Sequence, residues 1–205
     1  MELLTLLLRK AGAFREWAGA GFRYAAGLAV LCVAPVLGLA HAAEKESLEK
    51  AVKAAYLSKF GLYVEWPVAA LPAPNSALTL CVAGEDSLGA ALDKAAADQP
   101  RGGRPIAIRR LKTVERDSGC HILYVTGSDA VYARQAIEAV RGSNCLTVSD
   151  ARGTQVGAII YFVVKDNRVR FDIDEEAAAE NGLTISSKLL SLALNVKRRT
   201  PEETR

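Results

Sequence analysis

Leu78-Thr79-Leu80-Cys81-Val82 is an almost unbroken apolar run, followed by Ala83-Gly84-Glu85-Asp86 and then by Ser87 to Ala97. A short apolar run closed by a Gly-containing turn reads as a strand buried on both faces. Ser87 to Ala97 reads as a helix, with Asp86 or Ser87 as its N-cap. The unit strand–turn–helix is the building block of α/β proteins, and the flanking sequence repeats it. Arg101-Gly102-Gly103-Arg104-Pro105 is a turn, and Ile106 to Leu111 a short strand with Ile106 and Ile108 on one face. His121 to Val125 is a second buried run. Asp129 to Val140 is a helix carrying Val131, Ala133, Ile137 and Val140. Leu146-Thr147-Val148 is another short strand, and Gly153 to Gly157 a loop. This alternation predicts a mainly parallel sheet covered on both faces.

Upstream, Leu48, Val52, Tyr56, Phe60 and Tyr63 recur at three- and four-residue steps, which predicts a helix over Glu44 to Val64. Glu65-Trp66-Pro67 ends it, because Pro restricts its predecessor and cannot continue a helix. Leu71 to Ser76 reads as a loop. Downstream, Ala158 to Val164 is strongly apolar, and Lys165-Asp166-Asn167-Arg168 turns the chain into Val169-Arg170-Phe171-Asp172-Ile173. Strict alternation in that last run predicts a hairpin with one wet face. Asp174 caps a helix through Glu180, and Asn181-Gly182 stops it. Ser186 to Val196 reads as a final helix, with Leu189, Leu192 and Val196 on one face. The expected fold is α/β: a single domain with a mainly parallel sheet flanked by helices and a C-terminal antiparallel hairpin.

The 205 residues are 50% hydrophobic and 24% charged, which suits one globular domain and excludes a disordered chain. The formal net charge is +3 with no basic stripe, so nucleic acid is not an expected partner. Residues 1–42 read as a signal peptide: Arg9, Lys10, Arg15 and Arg23 form the positive region, Ala25 to Leu39 the apolar region, and Ala40-His41-Ala42 the cleavage pattern. A retained anchor is the competing reading. Residues 43–205 form the expected mature α/β domain, nearly neutral at a net charge of +1 once four basic and two acidic residues leave with the signal.

Cys32 leaves too, so the mature chain keeps Cys81, Cys120 and Cys145. An oxidising compartment favours one disulfide and one odd thiol, with three pairings open. Cys81 and Cys120 each belong to an apolar run that can become a neighbouring strand, which favours that pair. Three buried, reduced cysteines are the alternative.

Several chemistries lack their residues. No Gly-x-x-x-x-Gly-Lys-Ser/Thr loop exists. Gly84-Glu85-Asp86-Ser87-Leu88-Gly89 lacks the Gly-x-Gly pair of a dinucleotide loop, and its acids would repel phosphate. A single mature His, His121, permits no paired-His metal motif, and no Gly-x-Ser-x-Gly elbow is present. Ser149-Asp150 follows a strand, where α/β proteins place functional groups, although such a pair is more often a turn cap. Ser186-Ser187-Lys188 sits at a helix start, where capping accounts for the serines. No catalytic residue, cofactor or metal is expected.

Four segments together carry a resemblance that spans nearly all of the mature chain. They are Lys53 to Pro67, ending in Tyr63-Val64-Glu65-Trp66-Pro67; Leu78 to Asp86; Cys120 to Val125 with Leu146 to Asp150; and Ile160 to Ile173, running into Gly182-Leu183-Thr184-Ile185-Ser186-Ser187-Lys188-Leu189-Leu190. In these the sequence is similar to the YfiR family. The resemblance implies a periplasmic, non-enzymatic repressor that binds the sensory part of an inner-membrane diguanylate cyclase and lowers cyclic-di-GMP and biofilm formation. It also implies a homodimer, release through an outer-membrane lipoprotein partner or envelope stress, and a stabilising disulfide that maps onto Cys81 and Cys120. The sequence departs from the family at Cys145, which has no nearby cysteine for a second bridge. A periplasmic small-molecule binding protein is the alternative function.

A repressor needs an exposed apolar patch with polar anchors. The aromatic stripe Tyr56, Phe60, Tyr63 and Trp66 is one candidate, with core or dimer interface as its bland reading. The wet face of the hairpin is the other. The expected partner- or ligand-binding residues are therefore Tyr63, Glu65, Trp66, Arg168, Arg170, Ser187 and Lys188.

Overall fold

The computed structural model describes residues 34–70, 77–98, 104–127, 129–151 and 156–199, with side chains from Glu44 onward. The chain divides into two units, Met1–Lys45 and Glu46–Arg205. The basic and apolar regions of the expected signal lie largely outside the described residues, as do Leu71 to Ser76, Arg101 to Gly103 and most of the 153–157 loop. Among the described residues no helix is long and apolar enough to cross a membrane.

The elements follow the alternation expected from the apolar runs. Helix α1 (Ala34–Phe60) and a 3-10 turn (Gly61–Tyr63) lead into β1 (Val64–Glu65). Then come β2 (Leu78–Ala83), α2 (Ala90–Ala97), β3 (Ile106–Leu111), β4 (Ile122–Val125), α3 (Ala130–Ala139) and β5 (Leu146–Ser149). The chain finishes with β6 (Ile160–Lys165), β7 (Arg168–Asp174), α4 (Glu175–Glu180), β8 (Thr184–Ile185), α5 (Ser187–Leu190) and β9 (Val196–Lys197). The main sheet has the order β3-β2-β4-β5-β6-β7-β9. Strands β3, β2, β4, β5 and β6 are mutually parallel, while β7 returns antiparallel to β6. A small second sheet pairs β1 with β8.

Alternation along the strands sorts the core into two layers, because successive side chains leave opposite faces. Leu80, Val82, Ile122, Tyr124, Leu146, Val148, Ile160 and Phe162 face Ala54, Leu57 and Phe60 of α1 and Leu92 of α2. Cys81, Ala83, Leu123 and Val125 face Ala133, Ala136 and Ile137 of α3. Each fully buried large aliphatic or aromatic side chain contributes about 1.5–3 kcal/mol. The disulfide joins Cys81 to Cys120 across a sequence separation of 39, as the neighbouring apolar runs favoured. Its loop-closure contribution is about 4 kcal/mol on the chain-entropy model. Cys145 is free and buried, and loss of solvation pushes its thiol up to about 12. It is therefore a packed, protonated side chain at neutral pH.

Three local expectations are corrected. The first helix ends at Phe60 rather than Val64, because Val64 and Glu65 take up antiparallel pairing with Ile185 and Thr184. Gly61, just past the helix, packs closely on the sheet: a Cβ there would lie 2.7 Å from Cδ1 of Leu78. The second helix starts at Ala90, not Ser87; Asp86 Oδ1 accepts from the amides of Leu88 and Gly89 and so organises the turn before it. The expected final helix over Ser186 to Val196 shrinks to the single turn α5. Beyond it, Leu194 N–H donates to Phe171 O at 2.8 Å, and Val196 pairs with Ile173. The open edge of β7 captures the segment, and Leu192, placed by periodicity on a buried face, is 53% exposed.

Other signals hold. Asp166 and Asn167 both adopt positive φ, 50° and 58°, as a two-residue hairpin turn requires. Asp129 and Asp174 cap α3 and α4 by accepting amide hydrogen bonds. At the end of α4, Leu183 N–H donates to Ala178 O and Gly182 N–H to Ala179 O, with Gly182 at φ 67°. That is the glycine-terminated stop expected at Asn181-Gly182.

Candidate functional site

The strand order reverses between β2 and β4. After β2 the chain crosses through α2 to β3 on one side, while β4 lies against β2 on the other. In open α/β sheets the crevice beyond the carboxyl ends of the strands at such a reversal is where ligands bind. Here the loops after β2, β4 and β5 supply Ser87 and Leu88, Thr126 and Gly127, and Asp150. One face of α1 closes the other side with Glu46, Glu49, Lys50 and Lys53, spaced so that they share that face. Together these residues line an open-mouthed cleft of about 440 Å³.

The two loops press on one another. Gly84 has φ 93°, and a Cβ at that position would collide with the carbonyl oxygen of Thr126. Ser87 Oγ and Thr126 Oγ1 share a hydrogen bond at 3.2 Å. Below them, the buried Tyr124 donates its hydroxyl proton to Asp150 Oδ2 at 2.6 Å. Burial, followed by the neighbouring carboxylate of Asp150, drives the Tyr124 phenol well above its ordinary pKa, so it stays a neutral donor. Lys53 Nζ lies 3.1 Å from the same Asp150 Oδ2 and 2.9 Å from Glu49 Oε1. The Lys53 and Asp150 side chains are only 12% and 14% exposed, so this contact is far less screened than a surface ion pair. Ser149 Oγ accepts from Ala151 N–H at 3.1 Å, the turn-cap role weighed for the Ser149-Asp150 pair. Asp150, by contrast, faces the cleft.

The residues singled out by sequence lie elsewhere. Trp66 is 7% exposed, and its indole N–H donates to Asn144 O at 2.9 Å. Phe60 is core, stacked with Tyr56 and Phe162 and edge-on to Phe171. The aromatic stripe is thus mostly interior. Tyr63 is half-buried, with Lys188 Nζ 5.7 Å from its ring centroid, so the structure brings these two together. Glu65, Arg168, Arg170, Ser187 and Lys188 are exposed. Ser186 rather than Ser187 caps α5, accepting from Leu189 N–H.

Sequence reading missed Glu49, Lys53, Tyr124 and Thr126 as a group. The available signal was the Glu49–Lys53 spacing combined with Ser149-Asp150 at a strand end.

His121 is a clasp between strands. Thr79 N–H donates to His121 Nδ1 and His121 N–H to Thr79 O, both at 2.9 Å. Burial, then the charge of Arg104, lowers its pKa, so the ring is held neutral. Among the described residues no cluster of three or more His, Cys, Asp or Glu side chains could hold a metal ion.

Fold and cleft define an α/β domain with a polar crevice at the switch point of a mainly parallel sheet. The chain belongs to the YfiR/HmsC-like family, whose model matches residues 50–194. No curated protein matches the chain. Two solved structures are similar to it at a distance. One is a conserved domain protein from Vibrio cholerae O1 biovar El Tor, 14% identical with a TM-score of 0.43, covering 58% of this chain and 54% of that one. The other is an ABC domain in complex with L-Trp from Streptococcus pneumoniae, 13% identical with a TM-score of 0.46, covering 70% of this chain and 60% of that one. The chain thus matches little more than half the length of either.

Proposed function

We propose that this chain is an exported, non-enzymatic regulator of the periplasm. In this reading residues 1–42 are the export signal, and residues 43–205 bind the periplasmic domain of an inner-membrane diguanylate cyclase. Binding holds the cyclase off and lowers cyclic-di-GMP and biofilm formation. The observation that carries the reading is membership of the YfiR/HmsC-like family across residues 50–194. The Cys81–Cys120 bridge supports it, because structural disulfides persist in oxidising compartments.

The docking surface proposed is the β1–β8 side of the domain. Leu62 and Val68 flank Glu65-Trp66 and are 48% and 93% exposed. Tyr63, Glu65, Ser187 and Lys188 supply polar and aromatic anchors, with Trp66 fixing the backbone beneath them. Arg168 and Arg170 on β7 offer charge for recognition of acidic groups. A homodimer and an outer-membrane lipoprotein that releases the complex complete the proposal.

Deleting the gene from its host tests the reading. Cellular cyclic-di-GMP rises if the chain restrains a cyclase, and falls back on complementation. Unchanged cyclic-di-GMP under several growth conditions contradicts it. The cleft beside Ser87, Thr126 and Asp150 favours a second reading, a periplasmic small-molecule binding protein. Its signature is a ligand that raises thermal stability by binding the folded state.

A further inference from the structure

The cleft carries an uneven charge. Its lining holds three carboxylates (Glu46, Glu49, Asp150) against two ammonium groups (Lys50, Lys53). At the rim Lys50 pairs with Glu46 at 2.7 Å, one against one. At the deep end the ammonium of Lys53 meets both Glu49 and Asp150, so among the described residues that line the cleft the carboxylates outnumber the ammonium groups by one. The acceptors are also divided. Tyr124 and Lys53 both meet Asp150 at Oδ2, and Lys53 meets Glu49 at Oε1. Oδ1 of Asp150 and Oε2 of Glu49 take part in none of these contacts. Beside them stand the hydroxyl oxygens of Ser87 and Thr126, each with acceptor capacity beyond their mutual bond. Gly127 also lines the cleft, and no described residue lies within 4 Å of where its Cβ would be.

We propose that this cleft binds a small organic cation bearing a primary ammonium group. The ammonium places its three N–H donors among Asp150 Oδ1, Glu49 Oε2 and the Ser87–Thr126 hydroxyl pair, and so neutralises the excess charge. An inorganic divalent ion fits less well, because two carboxylates already engaged with Lys53 offer too few free oxygens for its coordination shell. An anionic ligand would meet the excess carboxylate. Occupancy ties α1 to the loops after β2, β4 and β5, which makes the cleft an input to the folded domain distinct from the β1–β8 surface. The inference does not rest on the cyclase reading: failure of one binding measurement leaves the other unaffected.

The test is calorimetric titration of the purified protein at low ionic strength with four probes: putrescine, tetramethylammonium, butyrate and calcium ion. Putrescine is expected to bind. Tetramethylammonium, which has charge but no N–H donor, is expected to bind at least ten-fold more weakly, and butyrate and calcium not measurably. Glu49→Gln and Asp150→Asn should each weaken putrescine at least ten-fold, and Ser87→Ala about three-fold. Should Asp150→Asn fail to fold, Glu49→Gln carries the test, since Glu49 lies outside the hydrogen bonds that Asp150, Thr126 and Ser87 make with the buried Tyr124. Binding of butyrate or calcium in preference to putrescine overturns the proposal. So does the absence of putrescine binding, and so does putrescine binding that Glu49→Gln leaves unchanged.

Discussion

The two ends of the parallel strands are built for different purposes. At the end where the strands begin, polar side chains are used up inside the protein. His121 clasps β2 to β4 through Thr79, and Cys120 is bonded to Cys81. Trp66 donates to Asn144 O, Asn144 Nδ2 to Asn181 O at 3.0 Å, and Asn181 Nδ2 to Cys145 O at 2.7 Å. Gly182 sits at φ 67°, and a Cβ there would press on Asn144 Nδ2 at 2.7 Å and displace it from its bond to Asn181 O. At the end where the strands finish, polar groups instead line an open cleft and keep acceptor capacity toward it. The motifs most easily read from sequence, Cys-His and Glu-Trp-Pro, belong to the closed end. A conspicuous motif can therefore mark framework, while a plain Ser, Thr and Asp at successive strand ends mark the crevice.

Substitutions at the closed end should cost stability, and those at the open end should not. Cys81→Ser with Cys120→Ser is expected to lose about 4 kcal/mol of unfolding free energy. Urea denaturation of the oxidised protein against the double variant measures this, and a loss below about 1 kcal/mol would break the contrast. Asn181→Ala, which strips partners from Gly142 N–H and Cys145 O, should cost about 2–3 kcal/mol. Tyr124→Phe, reaching toward the open end but buried, should cost about 1.5–3 kcal/mol through the lost bond to a carboxylate. Ser87→Ala, at the open end proper, should stay within about 0.5 kcal/mol of the wild type.

The sharpest test of the clasp is pH dependence. His121 has a lower pKa folded than unfolded, so between the two values the unfolded chain binds more protons. Its contribution is complete above about pH 6.5 and is lost as pH falls toward the folded value. Unfolding midpoints measured from pH 7.5 down to 5 should fall less steeply for His121→Asn, which keeps an acceptor but cannot titrate. Identical slopes would remove His121 from the account.

Much of the fold was legible because apolar runs of strand length leave few alternatives. The runs at Leu78, His121, Leu146 and Ala158 became β2, β4, β5 and β6, the last starting two residues later at Ile160, and three of the four capping or stop signals at Asp86, Asp129, Asp174 and Gly182 fell where expected; Asp86 organises a turn ahead of its helix instead. The tail was misread because Leu189, Leu192 and Val196 satisfy a helical period, whereas the unpaired edge of β7 is a tertiary fact that no local pattern announces. The cleft was illegible for a similar reason. Glu46, Glu49, Lys50 and Lys53 look like an ordinary solvated helix face, and the partner that makes Lys53 interesting, Asp150, is 97 residues away in sequence. The aromatic stripe was legible as a buried face, core or dimer interface, and Phe60 and Trp66 proved to be core; periodicity identifies such a face without saying what buries it.

The central claim is that the domain is a regulator held in shape by its closed end. It is tested most directly by capturing residues 43–205, the proposed mature chain, with the periplasmic domain of the host's diguanylate cyclase, with and without reductant. The account predicts specific capture that weakens when Cys81–Cys120 is reduced, because the fold that presents the docking surface loses its covalent clasp. No capture under either condition would contradict it and bring the small-molecule binding reading forward.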